Sequence, residues 1–212
     1  MKTVALLGEK GGTGKTATSH LLCLGAYFQG IPAAYVLTDP QRKVRGEGRP
    51  YAVLDGRLPE QLALIFTSSQ SNLNGWLIID GGGNRPDFDT EIGKSADLTI
   101  IPFRASEEDI DTVAHSLTSI PNALAWPTAW PTNPHAITTA QYLLDGLGQA
   151  FPHRVMSPAI PFVNSIADLL SASLVSPSSP VRHVARKSFS TLQDYYELHL
   201  ASQEPTAEAV SA

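Results

Sequence analysis

The stretch GEKGGTGKT, residues 8–16, sets Gly11, Gly12 and Gly14 around two lysines, Lys10 and Lys15, and ends on a hydroxyl at Thr16. A glycine-rich turn that runs into a helix points several backbone N–H groups at one concave space, which is a cradle for phosphate oxygens. Lys15 then brings positive charge to the β- and γ-phosphates, and the Thr16 hydroxyl suits Mg²⁺. The chemistry is therefore that of a nucleotide's phosphates with Mg²⁺, held by the loop and first helical turn, Gly11, Gly12, Thr13, Gly14, Lys15, Thr16 and Ala17. The pattern G-x-x-x-x-G-K-[ST] is not met literally, because Glu9 stands where it has glycine. A second lysine, Lys10, is more than the cradle needs, and its plain alternative is a solvated loop residue.

These residues must be held by a strand in front and a helix behind. TVALLG, residues 3–8, reads as a short buried strand, and 15–29 has helical apolar spacing before Gly30 and Pro32 stop it. AAYVLTD and GWLIID are further buried strands that end on Asp39 and Asp80, so both carboxylates fall at strand C-terminal ends. The QRKVRGEGRP segment reads as a mobile surface loop and PEQLALIFTSSQ as a helix. ADLTIIPF is a fourth strand, followed by a capped helix in SEEDIDTVAHSLTSI with acids in its first turn. Apolar runs without alternation, separated by helices, predict an α/β fold with a mostly parallel twisted sheet covered by helices on both faces.

Beyond Pro121 the pattern thins. NALAWPTAWPTNPH holds either a short strand ending near Asn133 or only a loop. QYLLDGLGQAF reads as a helix, HRVMSPAIPF as a strand, and SPVRHVARKSFSTLQDYYELHLA as a final amphipathic helix. Residues 1–201 are read as a single domain and 202–212 as a disordered tail.

With 212 residues, 42% hydrophobic and 17% charged, the chain can bury one substantial core. A formal net charge of -5 provides no global basic field, so contact with nucleic acid would need a local patch. The lone cysteine, Cys23, excludes an internal disulfide and reads as a small core residue. The six histidines lack metal-ligand spacing, and no stretch has the about twenty apolar residues of a membrane span. A cytoplasmic protein without a membrane role is expected.

The segment Lys10–Thr16 matches K-G-G-x-G-K-[ST] and resembles the ParA/MinD family of P-loop ATPases, specifically the short ParA-like partition ATPases. The resemblance implies the P-loop NTPase fold and an ATP-dependent homodimer in which Lys10 reaches the phosphates bound by the partner. TDPQ resembles the family's switch I, which gives Asp39 the attacking water and a part in organising Mg²⁺. LIIDGGG resembles its Walker B strand and switch II, making Asp80 a ligand of Mg²⁺-bound water. Catalysis would then fall on Lys10, Lys15 and Asp39, and the metal on Thr16, Asp39 and Asp80. In ADLTIIPFRASEEDIDT, Ala105 replaces a proline of the family pattern, while Pro102, Ser106 and Asp109 stand where it has them. Asp109 equally suits a first-turn helix acid. Asn133 and Pro161 fall where the family holds adenine, and both are also turn formers.

Two jobs are compatible with such an ATPase. One is plasmid or chromosome partition in a bacterial cell, associated with the nucleoid when ATP-bound. It would use non-specific DNA, a centromere-binding partner, and a basic face of Arg182, Arg186 and Lys187 with His183 on the last helix. Such a cluster is also what a solvated helix face looks like. The other is positioning or assembly of a protein partner, as in conjugation, secretion or polysaccharide synthesis, with Trp126 and Trp130 as anchors or as core residues. A MinD-like membrane helix is not expected from the ending QEPTAEAVSA, nor an iron–sulfur cluster from one cysteine.

Overall fold

The computed structural model describes residues 1–70, 74–83, 85–171 and 176–203. Six strands pair in parallel in one sheet: β1 (Lys2–Leu6), β2 (Ala33–Leu37), β3 (Ala52–Asp55), β4 (Trp76–Asp80), β5 (Leu98–Phe103) and β6 (Ala123–Pro127). Their spatial order is β3-β2-β4-β1-β5-β6. The register aligns Asp80 with both Leu6 and Leu37, so β1, β2 and β4 end side by side. The loops that follow these three strands, carrying the glycines, Asp39 and Gly81–Gly83, therefore meet at one edge of the sheet.

The continuous apolar strands are buried on both faces, and alternate residues feed two layers. Val4 and Leu6 of β1 pack with Leu21, Leu22 and Leu24 of α1 (Lys15–Phe28) and with Phe189 and Leu192 of α6 (Ser179–Gln203). Ala5 and Leu7 face the other way, onto Leu62 of α2 (Pro59–Gln70) and Ile92 of α3 (Pro86–Ser95). On that same side Ile101 and Phe103 of β5 meet Val113 and Leu117 of α4 (Glu107–Ser119) and Leu147 of α5 (Pro134–Ala150). Gly25 sits where α1 and α6 touch backbone to backbone: a Cβ there would lie 2.2 Å from the Ala185 carbonyl oxygen. Glycine inside a helix costs about 1 kcal/mol against alanine, and here that loss permits the close crossing.

Cys23 is fully buried in the core, as its apolar neighbours predict. Trp126 is a core residue too, its indole N–H donating to the Pro158 carbonyl at 3.0 Å. Two elements escape the sequence reading. β3 is a four-residue edge strand, half exposed and preceded by the basic loop, and α3 has few apolar residues around Phe88 and Ile92. The strand expected in 153–162 reduces to two isolated pairings, Val155 with Ala125 and Pro161 with Trp130. The open choice in 122–135 resolves into β6, which stops at Pro127, and a helix that starts at Pro134. Residues 204–212 of the expected tail lie outside the described residues.

Candidate nucleotide site

Three glycines of the loop after β1 take positive φ: Gly8 at 145°, Gly12 at 82° and Gly14 at 100°. Gly14 is the N-cap of α1, so its left-handed conformation turns the chain into the helix and leaves the first N–H groups facing outward. The loop is tied down from a direction the sequence does not reveal. Thr128, just past β6, shares its one hydroxyl proton between the Thr13 carbonyl at 2.8 Å and the Phe103 carbonyl at 3.1 Å.

A cavity of about 540 Å³ opens above the loop. Gly11, Gly12, Gly14, Lys15, Thr16, Ala17 and Asp39 line one end of it, and Pro161 lines the other. Lys15 is buried, its Nζ donating to the Lys10 carbonyl at 2.9 Å, and burial lowers its pKa against the pull of Asp80 and Asp89. Gly83, with φ of 71°, passes so close that a Cβ would lie 3.2 Å from Lys15 Nζ. Gly82 likewise abuts Asp39, whose Cα would be 3.3 Å from a Cβ at that position. Gly82 and Gly83 thus let the loop after β4 lie close against both the carboxylate and the lysine, with the left-handed φ at Gly83 favouring glycine there. Asp89 of α3 holds that loop by accepting from the Gly83 N–H at 3.1 Å.

Asp80 stands behind Gly81 rather than on the cavity wall, with no exposed surface. Its Oδ2 accepts from the Tyr35 hydroxyl at 2.7 Å, while Oδ1 is buried without a hydrogen-bond partner. Burial raises its pKa to about 6, opposed by the hydroxyls of Tyr35 and Thr16 and the charges of Arg42 and Lys15. A buried carboxylate oxygen left open beside Thr16 fits a hydrated divalent cation. No group of three His, Cys, Asp or Glu among the described residues could hold a metal alone, so Mg²⁺ there would draw on phosphate oxygens and water as well.

Asp39 makes a local turn: Oδ1 accepts from the Gln41 N–H at 2.9 Å and Oδ2 from Arg42 Nε at 3.3 Å. Lys10 is turned away from the cavity. Its ammonium pairs with Asp109 and, at 2.9 Å, with Glu108 at the start of α4, and the Asp109 hydrogen bond leads the effects that raise its pKa. Asp109 is itself buried and also accepts from the Arg104 N–H at 3.0 Å. Asn133 does not line the cavity; its Oδ1 accepts from the His135 and Ala136 N–H groups, 3.0 and 3.4 Å away, and caps α5. The far wall is instead Pro161, Phe162, Asn164 and residues of the 3₁₀ helix Asn164–Leu170. Phe162, 55% exposed, is the aromatic of PAIPF, and its residue type was the only sequence signal for a base-side role. Arg182, His183, Arg186 and Lys187 are exposed on α6, opposite the buried face that packs on α1.

No protein-family model matches the chain, and no curated protein matches it significantly. Solved structures do match. The MinD cell division protein of Aquifex aeolicus superposes with a TM-score of 0.68 at 13% identity, covering 92% of this chain and 97% of that one. A putative plasmid partition protein of Borrelia burgdorferi B31, bound to AMPPNP, gives 0.66 at 10% identity over 91% and 98%. The fold is the ParA/MinD type of P-loop NTPase. Cobyrinic acid a,c-diamide synthase of Mycobacterium smegmatis, with an ATP analogue and magnesium bound, matches at 0.63 and 15% identity over 93% and 96%. The ParA/MinD fold thus extends over nearly the whole chain, including the C-terminal quarter that the sequence matches only in outline. Among the described residues no helix is long and apolar enough to cross a membrane.

Proposed function

We propose that this chain is a ParA/MinD-family ATPase, converting ATP and water to ADP and phosphate, that dimerises on ATP and binds non-specific DNA in plasmid or chromosome partition. The observation that supports it is the convergence of the glycine loop, Lys15, Thr16 and Asp39 on one end of a nucleotide-sized cavity, with Asp80 held open behind them. Solved relatives of this fold carry AMPPNP, or an ATP analogue with magnesium. In this reading Thr16 and, through water, Asp80 would hold Mg²⁺, which would supply positive charge to the phosphates. Asp39 orients the attacking water, and Lys15 stabilises developing charge. Turnover is slow and stimulated by a centromere-binding partner, and residues 1–201 act as one ATPase domain.

Lys10 in this reading exchanges Asp109 and Glu108 for the triphosphate of a second copy, which links ATP binding to dimerisation. Lys10→Ala is then expected to abolish ATP-dependent dimerisation measured by light scattering; a variant that still dimerises would sink the shared-site arrangement. The exposed cations of α6 support DNA as the partner. Binding of a random-sequence duplex with Mg²⁺ and ATP, against Mg²⁺ and ADP, tests it. Salt-sensitive binding only with ATP is expected, and dimerisation without DNA binding would move the reading to an ATPase that positions a protein.

A further inference from the structure

A second cavity, of about 270 Å³, lies beside the nucleotide cavity, between the loop after β2 and the side of α1. The two share Thr16, Arg42 and Leu170, so they adjoin where the γ-phosphate and Mg²⁺ of the proposed ATP complex would sit. The second cavity is lined by Arg42, Lys43, Arg45 and Arg49, and no carboxylate lines it. Arg42 is paired with Asp39 at 3.3 Å, which leaves Lys43, Arg45 and Arg49 without a carboxylate partner among the described residues, a positive potential that suits an anion.

The interior wall is built, not incidental. His20 is 5% exposed and lines this cavity, stacked on Tyr35 at 4.0 Å between ring centroids. Its Nδ1 lies 3.0 Å from the Tyr51 hydroxyl, which accepts from Arg49 at 3.2 Å. Arg49 donates to the Tyr51 oxygen, and in the arrangement in which Tyr51 in turn donates its O–H to Nδ1, His20 carries its own proton on Nε2. Nε2–H has no protein acceptor among the described residues. Arg49 is fixed as well, by the carbonyls of Arg45, Leu169 and Ser171, which pins the loop to the end of the 3₁₀ helix. Lys43 lines the cavity and has no hydrogen-bond or ion-pair partner among the described residues. The cavity therefore sets the buried His20 ring beneath Lys43 and the guanidinium of Arg45, whose Nη1 donates to the Leu170 carbonyl at 3.1 Å.

We propose that this cavity is a second oxyanion site, of the size and charge for inorganic phosphate, held by Lys43, Arg45 and His20 Nε2–H. Its position next to Thr16 makes it a way station for the phosphate that hydrolysis releases; that source rests on the ATPase reading, whereas the anion site does not.

The test is calorimetric titration of inorganic phosphate into the protein saturated with Mg²⁺ and a non-hydrolysable ATP analogue, whose own phosphates fill the glycine loop. Phosphate is expected to bind at one site still. Lys43→Glu, which removes no contact of the fold, should weaken it by roughly tenfold or more while analogue affinity is unchanged. Absence of phosphate binding, or binding indifferent to Lys43→Glu, would overturn the proposal. If the analogue does not bind at all, the ATPase reading fails instead, and phosphate titration of Lys15→Ala with and without Lys43→Glu decides the cavity by the same criterion. Release of product phosphate, followed with a fluorescent sensor, separates the sources: a Lys43→Glu effect marks product phosphate, and none marks phosphate from solution.

Discussion

The two ends of the main cavity are built on opposite principles. At the phosphate end, backbone does most of the work: glycines at positive φ, a helix N-terminus and strand ends in register, with side chains such as Lys15, Thr16, Asp39 and Arg42 added to that frame. At the base end the wall is irregular chain, held by single pairings such as Trp130 with Pro161 and by Arg49 reaching carbonyls of the 3₁₀ helix. Backbone geometry of the first kind forces residue types at fixed spacing. Irregular walls accept many sequences, so they place few demands that can be read.

That difference predicts a gradient of mutational effect along the cavity. Lys15→Ala should act most strongly, lowering nucleotide affinity by about a hundredfold or more in a fluorescent-nucleotide titration, since it removes the buried charge that faces the phosphates. Asp80→Asn should lose Mg²⁺-dependent hydrolysis yet gain stability. The folded pKa of Asp80, about 6, is above its ordinary 3.8, so its contribution is fully present below 3.8 and is lost as pH rises through about 6. Asparagine removes that loss and still accepts from Tyr35, for a gain at neutral pH on the order of 2 kcal/mol in denaturant unfolding without nucleotide. A gain that persists unchanged below pH 4 would contradict the stated cause.

At the base end the expectation weakens and changes kind. Phe162→Ala should raise KM for ATP by roughly tenfold with kcat little changed, through lost stacking on the base. A fall in kcat instead would mean that Phe162 shapes the reacting end. Asn133→Ala should be smallest for ligand: nucleotide affinity stays as it was, while thermal unfolding shows about 1 kcal/mol lost with the helix cap. An affinity loss there would return Asn133 to the adenine and remove the contrast.

The same division explains what the sequence made legible. Asp80 and Asp39 could be placed because an apolar run that ends on a carboxylate has one location in a parallel sheet, and the glycine spacing names its own conformation. Thr128 was not legible: its hydroxyl ties Thr13 to Phe103 through contacts 115 and 25 residues apart that follow no local pattern. Nor was the pairing of Lys10 with Asp109, because both residues have ordinary solo roles as a loop cation and a first-turn acid. β3 and α3 were missed because an exposed edge strand and a mostly polar helix lack strong periodicity.

Gly25 sets how near two surfaces of the molecule lie. At that residue α1 meets the backbone of α6 directly, while Leu21, Leu22, Phe189 and Leu192 fill the core the two helices share. The first turn of α1 is the phosphate loop's own anchor, and the outer face of α6 carries Arg182, Arg186 and Lys187. The phosphate loop and those cations thus sit on two helices whose backbones come within less than a methyl group's width of each other at residue 25.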